Sequence, residues 1–446
     1  MKNKAFRNHL SICMNRHALN LILLISQLLL GTVVASTYYV DSKNGNDGNK
    51  GRSEAQPWKS HTMAQEAELK PGDVVMFKCG SQFNGPIHIT ESGTIEKPIT
   101  LTAYGKGEAP RFTNPNDLNM NGNCIRISGS YIIVEKLHFH DTPPTKNAGR
   151  LQSIFKMGAV FNMFGAKHNV IRENTFTKCT KGIQSTGEFT LITKNTMDGP
   201  SHPLWTKPGA KGGWGPMGIQ LGIGNQEVSY NTIKNYLTIS SPYGSDGGAI
   251  ELDDGRYHKR NVHIHHNYTE GNAGFFESSW KADYNPFVQK VYNLRIAFNV
   301  SYDGQSFVYM HAPCINTTFD NNTVIRTEGF GSKMYDIVYT AFDGITFRNN
   351  LYVGTNRCFQ GGPYKKKERV ISKNCWFWQV DGTKSDGNPL LVDIKGKDFR
   401  LRADSPLRGK GLNLRQHYER DFAGNPLPKT GPWDIGAIHF SKKKKE

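Results

Sequence analysis

One strand pattern recurs along most of this chain and limits the folds open to it. Two alternating apolar positions are followed by an asparagine and then by another apolar position, as in "VIRENTF", "LITKNTM" and "EVSYNTI". "IIVEKLHF" fits the same pattern with Lys136 in the asparagine position. The asparagines of the repeat are Asn174, Asn195, Asn231, Asn267, Asn299, Asn322 and Asn350, at intervals of 21, 36, 36, 32, 23 and 28 residues. A variable period of short strands is typical of a β-solenoid, in which equivalent asparagines of stacked coils can form a ladder.

We therefore predict an all-β fold, a single-stranded right-handed parallel β-helix (β-solenoid) with capped ends and loop insertions. The 46 glycines and 24 phenylalanines also favour strands and tight turns. The predicted organisation is a signal peptide over residues 1–36, an N-terminal cap with the first coils over 37–120, the right-handed parallel β-helix with an active-site face over 121–400, and a C-terminal capping segment with a basic tail over 401–446.

The first 36 residues have the composition of a signal peptide. A basic start precedes the apolar run "LILLISQLLLGTVVA", which is too short and wrongly flanked for a membrane span. We expect a secreted, periplasmic or cell-surface protein, with no membrane span in the mature chain, that works as a monomer. Seven cysteines show no CxxC or Cys/His spacing, so the sequence indicates no zinc site and leaves disulfides or free thiols open.

The chain is basic, with a formal net charge of +17. The leader contains four basic residues and no acid, so its removal leaves +13. A positive charge of this size would attract an acidic polysaccharide or oligosaccharide. The alternative is that it only keeps the protein surface soluble. The basic residues form no nucleic-acid motif, and we expect no nucleic-acid partner.

A second strand series lies between the asparagine strands, in "KGIQST", "MGIQLG", "GAIELD", "GFFESS" and "SFVYMH". Neighbouring residues of a strand point to opposite faces of the sheet. If the apolar residue of each strand points inward, the residue after it points outward, and these outward residues form one column. That column is Gln184, Gln220, Glu251, Glu277 and Tyr309, and a second column two residues on includes Asp253, Ser279 and His311. Amide, carboxyl, phenol and imidazole groups in columns are typical of a polysaccharide cleft.

Flanking segments add candidate sugar contacts. Trp214 and Trp280 lie in loops beside the polar face, where aromatic rings commonly stack on sugars or else pack the loop onto the coils. Lys281, together with Lys207, Lys211 and Lys290, would give the cleft a basic rim. The predicted substrate-binding residues are Gln184, Gln220, Tyr309, His311, Trp214, Trp280, Arg256 and Lys281.

The stretch "GGAIELDDGR" crowds Glu251, Asp253 and Asp254 into four residues. Retaining glycosidases place two carboxyls about 5–5.5 Å apart. Equivalent positions of adjacent coils are separated by about that distance. Glu277 lies one coil beyond Glu251 and Asp253, so we predict Asp253, Glu277 and Glu251 as catalytic residues of a secreted glycoside hydrolase that requires no cofactor.

The stretch "AIELDD…NVHIHHNYTEGNAGFFES" resembles the catalytic coils of glycoside hydrolase family 120, β-helical β-xylosidases. The resemblance implies that Asp253 is the nucleophile and Glu277 the acid/base, with Glu251 in support. The segments at roughly residues 37–112 and 405–440 resemble the opening and closing segments of exported bacterial β-helix proteins, which implies the architecture and no particular substrate.

Two alternatives remain open. A polysaccharide lyase acts by β-elimination on a uronate-containing or sulfated polymer, and Glu251, Asp253 and Asp254 could then bind calcium through oxygen. Its base would come from Lys259, His258, Lys281, Tyr309 or His311, with Arg256 neutralising the uronate. The third reading is a carbohydrate-binding surface protein without activity.

Overall fold

The computed structural model shows a right-handed parallel β-helix. It describes residues 35–115, 122–142, 157–199, 215–237, 247–252, 257–278, 290–310, 312, 314–326, 333–337, 343–354, 357–360, 370–381 and 383–441. Residues 1–34 of the predicted signal peptide and residues 442–446 of the predicted basic tail lie outside the described residues. Among the described residues, no helix is long and apolar enough to cross a membrane.

Three long parallel sheets run along the solenoid, and we name them sheets A, B and C. Sheet A contains β1 (Thr37–Val40), β2 (Val74–Lys78), β5 (Ile99–Tyr104), β8 (Ile132–Glu135), β11 (Val170–Arg172), β14 (Thr190–Thr193), β17 (Gln226–Ser229), β20 (Lys259–Arg260), β21 (His263–His265), β24 (Val291–Tyr292), β25 (Arg295–Ala297), β28 (Cys314–Asp320), β31 (Asp343–Arg348) and β34 (Val370–Lys373).

Sheet B follows sheet A around each coil. It contains β3 (Gln82–Asn84), β6 (Arg111–Thr113), β9 (His138–His140), β12 (Thr175–Thr177), β15 (Thr196–Asp198), β18 (Thr232–Lys234), β22 (Tyr268–Glu270), β26 (Val300–Tyr302), β29 (Thr323–Arg326), β32 (Leu351–Gly354) and β35 (Trp376–Trp378).

Sheet C completes each coil. It contains β4 (Ile87–Ile89), β7 (Ile125–Ile127), β10 (Val160–Asn162), β13 (Lys181–Ser185), β16 (Met217–Leu221), β19 (Gly248–Leu252), β23 (Phe276–Ser278), β27 (Val308–Met310), β30 (Lys333–Ile337) and β33 (Arg357–Gln360). A short helix α1 (Met63–Glu66) and an antiparallel pair, β36 (Leu391–Asp393) with β37 (Asp398–Leu401), lie outside the three sheets.

The solenoid interior is filled by one side chain in two from each strand, as period-two alternation requires. In sheet B the central residues Phe112, Phe139 and Phe176 are fully buried, with ring centroids 5.9 and 4.9 Å apart from coil to coil. Stacked rings at neighbouring coil positions therefore continue the core along the axis of the solenoid.

The predicted asparagine ladder is confirmed at the turn between sheets A and B. Asn231 Oδ1 accepts from the backbone N–H and the Nδ2 of Asn195, both at 3.0 Å. Asn231 Nδ2 donates to the Ile192 carbonyl and to Asn267 Oδ1, also at 3.0 Å. Every polar atom of the buried side chain is therefore satisfied within the protein. The ladder runs from Asn174 to Asn350, and Asn350 Nδ2 then lies 3.7 Å from Cys375 Sγ.

One position of the repeat was wrongly predicted. Lys136 has a φ of +60°, which matches Glu173 with +56°, the residue before the ladder asparagine in the next coil. Leu137, whose N–H donates to Asn174 Oδ1 at 3.1 Å, occupies the ladder position and is fully buried. The left-handed residue and the asparagine after it are adjacent in sequence, and the pattern alone did not separate them.

The C-terminal segment packs against the outside of the coils. Leu414, Tyr418, Leu427 and Trp433 form a buried cluster with Phe298. The Tyr418 hydroxyl also donates to Asp320 Oδ2 at 2.6 Å. The segment therefore covers apolar surface and a buried carboxylate of sheet A.

Cysteines in the described coils are free thiols, namely Cys79, Cys124, Cys179, Cys314 and Cys375. Burial raises the pKa of Cys179 and of Cys314 to about 12. These thiols remain protonated at neutral pH and pack as small apolar side chains.

Candidate active site

Five adjacent strands of sheet C bring the predicted polar column together. Gln184 pairs in register with Gln220, Gln220 with Glu251, Glu251 with Glu277, and Glu277 with Tyr309. Each pair is separated by one strand spacing, ~4.8 Å. The predicted register is confirmed, and Glu251 and Glu277 lie next to each other on adjacent coils.

The same strands show why these side chains share one face. Ile183, Ile219 and Ile250, the residues before the column in β13, β16 and β19, belong to the buried core. Alternation then turns the residues that follow them toward the opposite face of the sheet.

The column is more enclosed than the sequence predicted. Gln184 and Gln220 are fully buried and Glu251 is 5% exposed, so the predicted outward column is covered at these positions. The reason is that both faces of β13, β16 and β19 are covered, and every residue of these strands is buried. Glu277 and Tyr309 are half-buried, and the column therefore opens toward its C-terminal end.

A buried lysine lies among the polar groups and was missed by the sequence analysis. The Lys181 ammonium donates to Gln184 Oε1 at 3.1 Å and to Gln220 Oε1 through a short hydrogen bond. Gln220 Nε2 in turn lies 3.4 Å from Glu251 Oε2. The available signal was a lysine at the first position of a strand whose fourth residue belongs to the column.

Gly248 makes room for the Glu251 carboxylate. Gly248 is in register with Met217, which is in register with Lys181. A Cβ placed on Gly248 would lie 3.9 Å from Glu251 Oε1. Any longer side chain at this position would compete with the carboxylate for the same space.

The column continues toward the N-terminus with residues that the sequence analysis did not single out. Phe161 is in register with Gln184, Arg126 with Phe161, and His88 with Arg126. The Arg126 guanidinium lies 5.9 Å from the centroid of the Phe161 ring, and burial lowers its pKa. A cation and an aromatic face thus extend the same side of the sheet, which suits a sugar chain with an acidic group.

A second aromatic group follows the acidic stretch. Tyr257 stacks on Phe164 with a centroid distance of 5.0 Å, and Phe164 is 61% exposed. Arg260 lies over the Tyr292 ring at 4.4 Å. Burial, with the nearby charges of Arg260 and Lys259, lowers the pKa of His258. Phe164, Tyr257, Arg260 and Tyr292 form partly exposed aromatic and basic surface that the sequence analysis, which favoured tryptophans, did not identify, whereas His258 was predicted as a candidate base.

Several predicted site residues lie outside the described residues. These are Asp253, Asp254, Arg256, Trp214, Trp280, Lys281 and His311. The predicted calcium ligands are among them, apart from Glu251. Across the described ranges, no group of three or more His, Cys, Asp or Glu side chains could bind a metal ion.

The two carboxyls in the described part of the site, Glu251 and Glu277, could act together on a glycosidic bond. Two carboxyls about one strand spacing apart fall close to the separation of the retaining geometry, in which one attacks or stabilises the sugar and the other transfers a proton. Two like charges this close also favour different protonation states for the two groups.

Comparison with known proteins gives one local sequence match and several matches in fold. The chain is 43% identical over 81 residues to lacto-N-biosidase of Bifidobacterium longum subsp. longum, a match to 17% of this chain. The chain spans only 5% of the length of that relative. No family model matches the chain.

Solved structures share the architecture at low identity. The crystal structure of pectate lyase Pel9A has a TM-score of 0.59 and 15% identity, covering 92% of this chain and 98% of that one. The complex of XylC with xylose has a TM-score of 0.54 and 13% identity, covering 92% and 99%. These likenesses establish that the chain has the parallel β-helix fold of those proteins.

Proposed function

We propose that this protein is a glycoside hydrolase acting on an oligosaccharide or polysaccharide. The observation that carries the proposal is the register of Glu251 with Glu277 on adjacent strands of sheet C. That register places the proposed acid/base Glu277 about one strand spacing from β19, the strand that directly precedes Asp253 in the sequence, and this distance is close to the carboxyl separation of retaining glycosidases. The local identity with lacto-N-biosidase, whose name denotes a glycosidase, supports the same class of reaction.

Within this proposal the carboxyl groups have different roles. Glu277 is half-buried, whereas Glu251 is 5% exposed, so Glu277 is the better placed to reach a leaving-group oxygen as acid/base. Glu251 stabilises the positive charge that develops on the sugar. Asp253 is the nucleophile by resemblance to the family 120 β-xylosidases.

Glu277→Gln tests the proposal on a panel of neutral and acidic plant, algal and animal glycans. We expect wild-type protein to release reducing sugar and the variant to lose about 10²–10⁴-fold in rate, the usual contribution of general acid–base catalysis. Glu270→Gln is a matched control, because Glu270 lies on sheet B and bonds to Lys234 and Lys397. Equal activity of Glu277→Gln and wild type would refute the assigned role.

A second candidate is β-elimination on a uronate polymer. Tyr309 stands beside Glu277 in the column, where a phenol can act as a base, and Arg126 lies further along the same side. A lyase would give an unsaturated uronate, detected by its ultraviolet absorbance, and calcium dependence would make its activity sensitive to chelators. Hydrolysis gives no unsaturated product. Binding of a glycan without either product, retained in Glu277→Gln, would indicate a carbohydrate-binding surface protein.

We also propose that the protein is exported and acts as a monomer outside the cytoplasm. The basic and apolar leader supports export. N-terminal sequencing of the mature protein would show cleavage near residue 36, and light scattering would give its mass in solution.

A further inference from the structure

A cavity in the N-terminal cap takes no part in the proposed reaction. It has a volume of about 370 Å³ and opens to solvent, and this volume is within the range of pockets that bind small ligands. It lies between strand β1, the loop at residues 49–52 and helix α1. We name the loop at residues 49–52 the cap loop and the space beside it the cap cavity.

The floor of the cap cavity is a pair of buried aromatic rings. Tyr38 of β1 is 6% exposed and Trp58 is 5% exposed. Their ring centroids are 4.7 Å apart and their planes differ by 21°, so the two rings are stacked. The Trp58 indole N–H also donates to the Asn49 carbonyl at 3.0 Å. A rigid aromatic surface therefore supports the cap loop.

A glycine holds the cap loop against this floor. Gly51 has a φ of +67°, and a Cβ at this position would lie 2.5 Å from the Trp58 ring, so a larger residue does not fit without displacing the loop. The Gly51 carbonyl also accepts from a backbone N–H of β1 at 2.7 Å. Lys50 and Arg52 are the residues on either side of this glycine. Both basic side chains are thus attached to an anchored backbone.

The Arg52 guanidinium is preorganised above the floor. Its central carbon lies 4.1 Å from the centroid of the Tyr38 ring, and one of its Nη atoms donates to the Tyr38 hydroxyl at 2.9 Å. A guanidinium has five N–H donors in a planar group. The contact with Tyr38 therefore fixes the orientation of the group and leaves most of its donors for solvent or for a ligand.

The charges that line the cap cavity are not paired with one another. Ion pairs between described residues involve other side chains than Lys50 and Arg52. Glu66 of α1 lines the same cavity, and within the described part of the chain no ion pair joins it to either cation. Two positive charges and one negative charge give this lining a net charge of +1, which favours an anionic ligand.

A sugar that has a carboxylate matches the rest of the lining. A guanidinium can bind a carboxylate through two parallel hydrogen bonds. Asn49 Nδ2 donates to the Pro57 carbonyl at 2.9 Å, so the oxygen end of this amide remains as an acceptor for a hydroxyl group. The Glu66 carboxylate is a second acceptor, and Met63 supplies apolar surface for a ring face. A small inorganic anion would use none of these three groups.

The cap cavity is distant from the carboxyl pair. Strand β1 and strand β17, which belongs to the same coil as Glu251, are separated in sheet A by six strand spacings, about 29 Å along the solenoid. A single sugar residue cannot contact both places. A ligand of the cap cavity therefore occupies a second site.

We propose that the cap cavity is an accessory site that binds a uronate residue of an acidic polysaccharide. Arg52 and Lys50 bind the carboxylate, and Glu66 and Asn49 accept hydrogen bonds from hydroxyl groups. A polymer bound at the cap is present at a higher effective concentration along the rest of the solenoid. The accessory site goes beyond the proposed function and does not depend on which reaction the carboxyl pair performs.

The test detects binding at the cap cavity itself. Protein labelled with ¹³C at the methionine methyl groups is titrated by NMR, and the Met63 signal is assigned by its loss in Met63→Leu. The probes are trimers of galacturonate and of mannuronate, and we expect at least one to shift the Met63 signal to saturation. Its methyl ester, which has no charge, should bind on the order of tenfold more weakly, the effect of one charge-assisted hydrogen bond.

Two results of these titrations would overturn the proposal. One is a Met63 signal that neither trimer shifts, and the other is equal binding of the acid and its methyl ester. Inorganic sulfate is titrated in parallel. If sulfate binds as tightly as the trimer, the cavity recognises an anion and no sugar, which also overturns the proposal.

Variants then assign the binding to the cap loop. In Arg52→Gln we expect binding of the trimer to weaken on the order of tenfold. Lys50→Gln is a second variant that leaves the contact of Arg52 with Tyr38 intact, and it should weaken binding in the same direction. Lys106→Gln is the matched control, because Lys106 is exposed in the turn after β5 and does not line the cavity. Equal affinities of all three variants would contradict the assignment.

Cleavage assays keep this inference apart from the proposed function. A Met63 shift in a protein that cleaves no glycan of the panel supports the accessory site and counts against the hydrolase. Cleavage of a glycan without a Met63 shift by either trimer supports the hydrolase and overturns the accessory site.

Discussion

At the scale of single residues, Gly248 and Glu251 show how a missing side chain shapes the site. The Glu251 carboxylate lies 3.9 Å from the position that a Cβ on Gly248 would occupy, and 3.4 Å from the Gln220 amide nitrogen. The Lys181 ammonium reaches the same amide from the other side. We therefore expect that a side chain longer than a methyl group at position 248 would displace the carboxylate.

Substitutions of Gly248 should distinguish an effect on the position of the Glu251 carboxylate from an effect on folding. Gly248→Ala places a methyl group 3.9 Å from Glu251 Oε1, an ordinary contact, and we expect nearly unchanged activity. Gly248→Val has no such room and displaces the carboxylate, which should lower kcat on the order of 10²-fold, as misplacement by about 1 Å does. Steady-state kinetics and thermal unfolding of both variants check this, and similar kcat values for the two would contradict it.

At the scale of the structural element, the turn between sheets A and B combines two features. One residue has a left-handed conformation, and the asparagine after it bonds to the coils on both sides. Glu173, Lys194 and Tyr230 have φ values of +56°, +56° and +55°. Side chains other than Gly, Asn and Asp are uncommon in this region because of steric strain.

Removal of a ladder asparagine should be costly. In Asn231→Ala the N–H of Asn195 and the carbonyl of Ile192 lose buried partners, and we expect the free energy of unfolding to fall by about 2–4 kcal/mol. Asn46→Ala is the control, since Asn46 is exposed, lies outside the left-handed region and accepts a local hydrogen bond from the Gly48 N–H at 2.9 Å. It should cost under about 1 kcal/mol. Urea unfolding measures both, and equal losses would contradict a special role for the buried ladder.

Replacing a residue that is strained in the left-handed conformation should instead raise the free energy of unfolding. Glu173 is exposed with φ +56°, and Glu173→Asn should raise the free energy of unfolding by about 0.5–1 kcal/mol, because asparagine tolerates this conformation. The same new side chain at Thr196, an exposed residue within β15, should destabilise, because asparagine is disfavoured in strands. Destabilisation by both changes would show that the backbone conformation is not the cause.

Sequence reasoning succeeded where the repeat itself holds the information. The interval between asparagines and the alternation within each strand were enough to place Glu251 beside Glu277. The same reasoning misassigned Lys136, because the left-handed residue and the ladder residue differ by one position. It also missed Lys181, since the reach of a long side chain across coils depends on its rotamer and on which neighbours are small.

At the scale of the whole molecule, the C-terminal segment and the coils are joined by polar contacts as well as by apolar packing. Arg348 forms two hydrogen bonds of 2.7 Å with the buried Asp320, which also accepts from Tyr418. His266 Nε2 lies 3.2 Å from the Arg420 carbonyl. The same ring stacks on Phe298.

The stability of the molecule should therefore depend on pH through His266. Burial and the neighbouring His265 lower the pKa of His266 to about 4, against 6.5 in an unfolded chain. Below pH 6.5 the unfolded chain binds the proton first, so the free energy of unfolding falls as the pH drops from 6.5 to 4. The loss amounts to at most about 3 kcal/mol.

Urea unfolding between pH 7.5 and 4 measures this loss, and His266→Gln should flatten the dependence. His263, whose pKa burial lowers to about 2, would still contribute in the same direction in that variant. An identical pH dependence in wild type and His266→Gln would show that the proton is taken up elsewhere.

The asparagine ladder also has a consequence for a chain cut into two pieces. Cleavage between β15 and β16 would leave Asn195 Nδ2 without its acceptor on one fragment and Asn231 Oδ1 without its donor on the other. All three sheets would end in open edges at the same level, and open edges seek partners. The open edges and the broken ladder bonds of the two fragments match each other in only one strand alignment. We therefore expect the fragments to reassemble one-to-one when they are expressed together. Each fragment alone should aggregate.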